Sequence, residues 1–183
     1  MSPPMPAEYT GFAHDPAPEV WACFAAIAAG PMAGLPLCNP ALEVATIGFR
    51  PWQGEWLGAL LTPWSLSLML LPGTGGRFRP LAVDERQSWA FPSGEYEFLG
   101  NREPALGPYQ MCSLYSPVFE FASQIDAEAV ALAALDALFS GPDGAAGADA
   151  AAEQARLQGE SIAAAPVSRR DFLRGGPFLR GRG

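Results

Sequence analysis

Between residues 42 and 115 the chain is a succession of short apolar runs separated by proline and glycine, and this pattern limits the possible folds most strongly. Runs of this length and spacing are typical of strands joined by turns. Strands are predicted at 42–49, 56–61, 64–71, 87–91, 95–100 and 109–115, whereas residues 77–84 are ambiguous. The turn Pro92-Ser93-Gly94 predicts an antiparallel pairing of the two strands that it joins.

Two helical patterns flank these strands. Asp15 and Pro16 suit the start of a first helix, with Val20 and Phe24 on one face and Gly30 at its end. Ser116 and Pro117 suit the start of a second helix that runs through Phe139. Its apolar stripe comprises Val118, Phe121, Ala122, Ile125, Ala129, Leu132, Leu135 and Phe139.

The order helix, strands, helix predicts an α+β fold. In this fold an antiparallel β-sheet of about five to six short strands packs against an N-terminal and a C-terminal helix, followed by a disordered C-terminal tail. Composition divides the chain into four parts. They are a flexible N-terminal segment (1–14), a single α+β domain (15–139), a flexible linker (140–167) and a basic tail (168–183).

The charge of the chain is divided unevenly between its body and its tail. Residues 1–168 contain six arginines and eighteen acidic residues, whereas residues 169–183 contain five arginines and Asp171 alone. An acidic body repels phosphate backbones and attracts basic peptides, so nucleic acid is excluded as a predicted partner. Solubility alone is the other explanation for this charge.

The residue types that are missing exclude several classes of enzyme. The chain contains no lysine, so Gly73-Thr74-Gly75-Gly76 is predicted to be a turn and not a phosphate-binding loop. His14 is the only histidine, and Cys23, Cys38 and Cys112 lack metal-binding spacing. Glu95 and Glu97 are expected to lie on a solvated strand face. We therefore predict no catalytic residues, no metal and no cofactor.

Two further segments bear on the location of the protein. The uncharged stretch Trp56 to Leu71 is too short to span a membrane and contains Pro63, so two buried strands explain it better. An export signal requires basic residues near its start, and the first twenty residues contain no arginine or lysine. The protein is therefore predicted to be cytoplasmic and not membrane-embedded.

Five stretches resemble the HybE/HupJ family of [NiFe]-hydrogenase assembly chaperones. They are NPALEV (39–44), GFRPWQGEWLGALLTPW (48–64), LMLLPG (68–73), FPSGEYEF (91–98) and YQMCSLYSPVFEFA (109–122). The resemblance covers about residues 35–139, and the last two strings are the most distinctive.

The resemblance implies a cytoplasmic assembly chaperone for an exported uptake [NiFe]-hydrogenase. Such a chaperone is not an enzyme. It binds immature subunits, namely the small-subunit precursor with its twin-arginine signal, the large subunit or both, and delays export until maturation is complete. Other maturation chaperones are further potential partners. Two alternatives stay open: a redox or iron-sulfur protective protein that uses Cys112, and a scaffold that bridges the two subunits without proofreading.

Aromatic residues at turns are the candidates for binding the partner, because such residues often anchor protein interfaces. The candidates are Pro51, Trp52, Trp56, Phe91, Pro92, Ser93, Gly94, Tyr109, Gln110, Met111 and Cys112. The alternative for these residues is ordinary packing in the core.

The tail carries the motif SRRDFLRG at 168–175, which matches the start of a twin-arginine export signal. The motif residues are Ser168, Arg169, Arg170, Phe172, Leu173 and Arg174. An export signal needs an apolar segment of about 7–15 residues after its basic start, and only nine residues follow Arg174. We expect the motif to mimic the partner's signal, to recruit another protein, or to be inert.

Overall fold

Six antiparallel strands form one sheet between two helices in the computed structural model, which describes residues 9–141. The elements are α1 Ala17–Ala29, β1 Ala45–Trp52, β2 Glu55–Thr62, β3 Ser65–Leu71, β4 Arg86–Phe91, β5 Gly94–Glu103, β6 Gly107–Tyr115 and α2 Gln124–Phe139. The strand order is β1-β2-β3-β6-β5-β4. The predicted α+β architecture is therefore confirmed for the sheet and both helices.

The centre of the sheet is covered on both faces. Leu57 and Leu68 belong to the cluster beneath α2, whereas Leu60 and Met69 belong to the cluster beneath α1. Strands that are buried on both sides have continuous apolar sequences. The uncharged stretch Trp56 to Leu71 thus forms most of β2 and β3, as predicted.

The other half of the sheet has one exposed face. In β5, Tyr96 and Phe98 are buried beneath α2, while Glu95 and Glu97 are exposed. Glu97 forms an ion pair with Arg86 of the neighbouring strand at 3.0 Å. The prediction of a solvated face at Glu95 and Glu97 is confirmed.

The start of α2 differs from the prediction. The helix begins at Gln124, because the Ser123 hydroxyl accepts the N–H of Asp126 and caps it. Upstream, the Asn39 amide donates to the carbonyls of Val118 and Phe121, which a helix beginning at Pro117 would use internally. This long-range contact holds residues 116–123 in an irregular conformation.

The apolar stripe predicted for this helix is half right. Val118, Phe121 and Leu135 are buried and Phe139 packs against the same cluster. Ala122, Ile125, Ala129 and Leu132 are exposed, Ile125 by 79% and Leu132 by 50%. Half of the residues that the helix buries are alanines, and the buried set is Ala127, Val130, Ala131, Ala134, Leu135 and Leu138. The buried face thus combines small and branched side chains, while Ile125 and Leu132 face outward.

The segment before α1 contacts the domain from Tyr9 onward. The Tyr9 hydroxyl donates to the Phe78 carbonyl at 3.1 Å, and the Phe12 N–H donates to the Pro72 carbonyl at 2.8 Å. These bonds anchor residues 9–12, whereas the sequence predicted the whole of 1–14 to be flexible.

Candidate functional site

A bulge in β1 determines which side chains reach the face of the sheet beneath α2. Ile47 pairs with Ala59 and Arg50 pairs with Leu57, so β1 uses one more residue than β2 over this interval. Gly48 lies inside the bulge with a φ of 61°, a conformation that favours glycine. The extra residue changes the alternation of the strand, and Trp52 therefore packs against the same cluster as Ile47.

Trp52 meets the opposite edge of the sheet. Its ring stacks on Phe91 of β4 with centroids 4.2 Å apart and an interplanar angle of 9°. Trp89 lies 5.7 Å from Trp52, and Phe139 of α2 lies 5.9 Å from Phe91. We call Trp52, Trp89, Phe91 and Phe139 the aromatic seam, since together they connect the two edge strands and the end of α2.

The turn next to the seam is fixed to α2. The Ser93 N–H donates to the Leu138 carbonyl at 3.1 Å, and the Ser93 and Tyr96 hydroxyls lie 2.7 Å apart. These bonds hold Pro92 and Ser93 at the last turn of the helix. The two predicted turn regions, at Pro51-Trp52 and Phe91 to Gly94, are thus brought together.

Two guanidinium groups lie on rings of the seam. Arg50 Cζ is 4.4 Å from the centroid of Phe139, and Arg77 Cζ is 5.3 Å from Trp89. Arg50 Nε is buried and has no hydrogen-bond partner in the part of the chain that the structure describes. Within residues 9–141, neither arginine forms an ion pair. The seam therefore presents guanidinium donors that an acceptor on another molecule can use.

Arg50 was not among the residues selected from the sequence, although it directly precedes Pro51 and Trp52. The sequence did contain a signal, because Arg50 is the first basic residue of an acidic chain and lies within the string GFRPWQ. Its ring contact and its unpartnered nitrogen become visible only once β1 and α2 are placed together.

Gln110 holds Trp89 of the seam in place through hydrogen bonds. Its side-chain oxygen accepts the Trp89 indole N–H at 2.8 Å, and its side-chain nitrogen donates to Gln87 and to the Arg79 carbonyl. Gln110 is completely buried. Its role is thus to fix Trp89 and the loop that carries Arg77 and Arg79.

Three of the predicted candidates lie on the other face of the sheet. The Trp56 indole donates to the Phe12 carbonyl at 3.0 Å, and Tyr109 packs edge-on against Phe24 of α1. Met111 joins the same cluster beneath α1. Burial raises the pKa of the Tyr109 hydroxyl, with a smaller contribution from Glu103. Trp56, Tyr109 and Met111 do not join the seam.

The predicted candidates differ in their accessibility to a partner. Pro51 and Pro92 are exposed, Trp52, Trp56, Gly94, Met111 and Cys112 are partly buried, and Phe91, Ser93, Tyr109 and Gln110 are buried. At the seam, direct contact with a partner is therefore open to Pro51, Trp52, Pro92 and Gly94, while the buried Phe91 and Gln110 support them. The tail motif, Ser168, Arg169, Arg170, Phe172, Leu173 and Arg174, lies outside the described residues.

Cys112 lies beneath α2 and not at the surface of the seam. Burial raises its pKa from 9.0 to about 11, so the thiol stays protonated at neutral pH. The protonated thiol is a poor nucleophile and a poor metal ligand. Within residues 9–141, no three His, Cys, Asp or Glu side chains are placed to hold a metal ion together.

A separate cleft of about 590 Å³ lies beside the turn between β1 and β2. At its base Glu55 is almost completely buried and accepts the N–H groups of Gly73 at 2.8 Å and Phe78 at 2.6 Å. A carboxylate thus occupies the position at which a phosphate loop would need a basic residue. Residues 74–76 form a bend here, in agreement with the predicted turn.

No helix within residues 9–141 is both long enough and apolar enough to cross a membrane.

Comparison with known proteins points to one family. The model of a family described as "[NiFe]-hydrogenase assembly, chaperone, HybE" matches residues 15–175. This range is wider than the one over which the resemblance was read from the sequence, and it includes the tail motif. The resemblance to this family is confirmed.

Individual relatives agree with the family match. The chain is 42% identical over 132 residues to protein HoxT of Cupriavidus necator, covering 66% of this chain and 73% of that protein. It is 39% identical over 108 residues to a protein of Rhodobacter capsulatus named probable rubredoxin HupJ. That alignment covers 59% of this chain and only 39% of the Rhodobacter protein.

A solved structure shares the fold. The solution structure of HybE from Escherichia coli superposes with a TM-score of 0.59 at 27% sequence identity. The superposition covers 73% of this chain and 83% of that one.

Proposed function

Because the chain belongs to the HybE family of [NiFe]-hydrogenase assembly chaperones, we propose that it binds immature subunits of an exported uptake [NiFe]-hydrogenase in the cytoplasm. It acts by binding and carries out no catalysis. By holding the small-subunit precursor, the large subunit or both, it delays export until maturation is complete.

The observation that carries this proposal beyond family membership is the aromatic seam. Trp52 is partly exposed and lies on the buried ring of Phe91, while Arg50 has a buried nitrogen without a described acceptor. Arg50 as a whole is only partly buried and forms no ion pair within residues 9–141, so the rest of its guanidinium group can donate to an acceptor on a partner. Tryptophan and arginine are also the residue types that most often dominate binding energy at interfaces. Pro51, Trp52 and Pro92 are the proposed contact residues.

A pulldown from cells that make the hydrogenase tests the proposal. The full chain serves as bait for the large subunit, the full-length small-subunit precursor and the precursor without its signal peptide. We expect capture of at least one immature subunit. Recovery of none of the three would contradict the proposal. Equal capture of the precursor with and without its signal would favour the bridging scaffold over a protein that reads the signal.

Variants of the seam connect this binding to the site. Trp52→Ala and Arg50→Gln are each expected to reduce capture about tenfold or more, because interface tryptophan and arginine residues commonly contribute 2 kcal/mol or more. Arg102→Gln is the matched control, since Arg102 is an exposed arginine near the end of β5 opposite Gly94. Equal capture by all three variants would remove the seam from the binding site and leave the chaperone function in place. Thermal unfolding of each variant shows whether the fold is retained.

The redox alternative has one observation in its favour, namely that a relative is named as a probable rubredoxin. The residues described here fit it poorly, because the pKa of Cys112 is raised to about 11 and the described cysteines belong to no metal-ligand group. Cys112→Ser distinguishes the two. A binding protein keeps subunit capture and hydrogenase maturation with this variant, whereas a thiol-dependent protector loses maturation.

A further inference from the structure

The outer side of α2 carries apolar residues that the described residues leave largely or half exposed. Ile125, Ala129 and Leu132 are all exposed, with Ile125 79% and Leu132 50% accessible. Their spacing of three and four residues places them in one row, about 10 Å long from Ile125 to Leu132. Helices that are apolar on both sides are usually covered on both sides. This row is therefore a candidate docking surface for apolar side chains.

The same surface is acidic. Glu128 borders the row and Asp136 extends it by one turn. Residues 103–141 contain no arginine or lysine, and Arg86–Glu97 is the only ion pair found in the described part of the chain. Among residues 9–141, Glu128 accepts a hydrogen bond from the Gln124 amide at 2.8 Å and forms no ion pair. The surface thus suits a ligand that combines guanidinium groups with apolar side chains.

We propose that the outer face of α2 docks residues Ser168 to Arg174 of the same chain. Arg169, Arg170 and Arg174 supply guanidinium groups for the carboxylates of Glu128 and Asp136. Phe172 and Leu173 supply the apolar side chains for the row of Ile125 and Leu132. The motif and the helix face match in both components of their chemistry.

The length of the chain allows this contact. α2 ends at Phe139, so residues 140–167 separate the helix from the motif. A chain of 28 residues reaches at most about 90 to 100 Å, and α2 is about 24 Å long, so every position on the helix is within its covalent reach. The covalent connection raises the effective concentration of the motif at the helix, which favours even a weak contact.

The consequence for hydrogenase assembly rests on the proposed function. A precursor that begins with a twin-arginine signal carries the same combination of paired arginines and apolar residues. The precursor would have to displace the tail from α2, so the docked tail would lower the apparent affinity of the chain for the precursor. The docking itself depends only on groups within this chain.

Amide chemical shifts of the full-length chain test the docking. Arg169→Gln with Arg170→Gln is compared with Arg180→Gln and Arg182→Gln, which makes the same charge change outside the motif. We expect the first pair to shift the amides of residues 125–136 at least three times more than the second pair. Equal effects of the two pairs would overturn the proposal, as would shifts concentrated on another surface such as Glu95 and Glu97.

A variant of the body provides the reciprocal test. Ile125→Ser with Leu132→Ser is expected to shift the amides of residues 168–174 in the full-length chain. Intrachain docking also requires that the shifts be independent of protein concentration. Shifts that grow with concentration would show a contact between two chains and would contradict the proposal. These measurements need no hydrogenase. The pulldown can therefore fail while the docking is confirmed, and the docking can fail while the pulldown succeeds.

Discussion

The two faces of α2 both carry apolar residues but have opposite surroundings. Ala131, Ala134 and Leu138 are buried against the sheet, whereas Ile125 and Leu132 extend into solvent from the other side of the same helix. The buried face combines three alanines with Val130, Leu135 and Leu138. The hydrophobicity of single side chains therefore did not decide the choice of face, because the exposed Ile125 is more apolar than the buried alanines.

This difference separates stability from recognition. The inner face contributes to folding because its side chains leave water when the domain forms. The outer face gains less burial from folding, so it remains available for a ligand. A substitution should therefore affect unfolding on one side of α2 and binding on the other.

Leu135→Ala is expected to have the largest effect on stability. Leu135 is 1% exposed, and truncating a buried leucine costs about 2–5 kcal/mol through lost burial and the cavity that remains. Leu132→Ala, only three residues away, is the matched control and should cost less than about 1 kcal/mol. Denaturant unfolding monitored by tryptophan fluorescence measures both. Equal losses from the two variants would show that the faces do not differ as described.

The pH dependence of stability probes the apolar cluster beneath the inner face. The pKa of Cys112 is about 11 in the folded protein, whereas the ordinary value of a cysteine thiol is 9.0. The folded state therefore favours the protonated form. Its contribution is fully present below pH 9 and is lost as the pH rises through about 11, by up to about 3 kcal/mol. The wild type should therefore lose this stability relative to Cys112→Ala between pH 9 and 11. A difference between the two proteins that does not change with pH would contradict a buried thiol.

Gly48→Ala tests the contact between the β1 bulge and α2. Gly48 has a φ of 61°, and a Cβ there would lie 2.7 Å from Leu135 Cδ1. Strain and displacement of Leu135 should together cost about 1–3 kcal/mol. Gly34→Ala shares a positive φ of 72° but has no neighbour within 4 Å of the new Cβ, so it isolates the backbone term. If both variants unfold at the same denaturant concentration, the contact with Leu135 adds no destabilisation beyond the backbone strain.

Ile125→Ser should have the smallest effect on stability, within about 0.5 kcal/mol, because a mostly exposed side chain loses little burial. Thermal unfolding compared with the wild type measures this change. A loss as large as that of Leu135→Ala would mean that the outer face is covered within the folded domain.

The strands could be predicted from the sequence because their evidence is local. Runs of apolar residues between proline and glycine located all six strands, although β1 was placed at 42–49 and lies at 45–52. The start of α2 could not be predicted, because it depends on hydrogen bonds from Asn39 to carbonyls about eighty residues away. Only Leu135 of its buried face was predicted, because the stripe was placed in register with Val118 and Phe121, which precede the helix.

The site was predictable only in part for a related reason. Trp52 and Phe91 were each predicted because they are aromatic residues next to turns. Their stacking could not be predicted, because it requires the two edge strands of the sheet to approach each other. The β1 bulge moves Arg50 and Trp52 to the face beneath α2, and strand alternation alone would not place them there. Family membership had a clear basis in the sequence, because five long strings carried it.

The affinity of the purified chain for immature and mature forms of one hydrogenase subunit tests the central claim most directly. Isothermal titration calorimetry with the small subunit and with the large subunit, each before and after cofactor insertion, gives four dissociation constants. A chaperone that delays export until maturation should bind at least one immature form at least tenfold more tightly than its mature counterpart. Equal affinity for immature and mature forms, or binding to neither, would contradict the account.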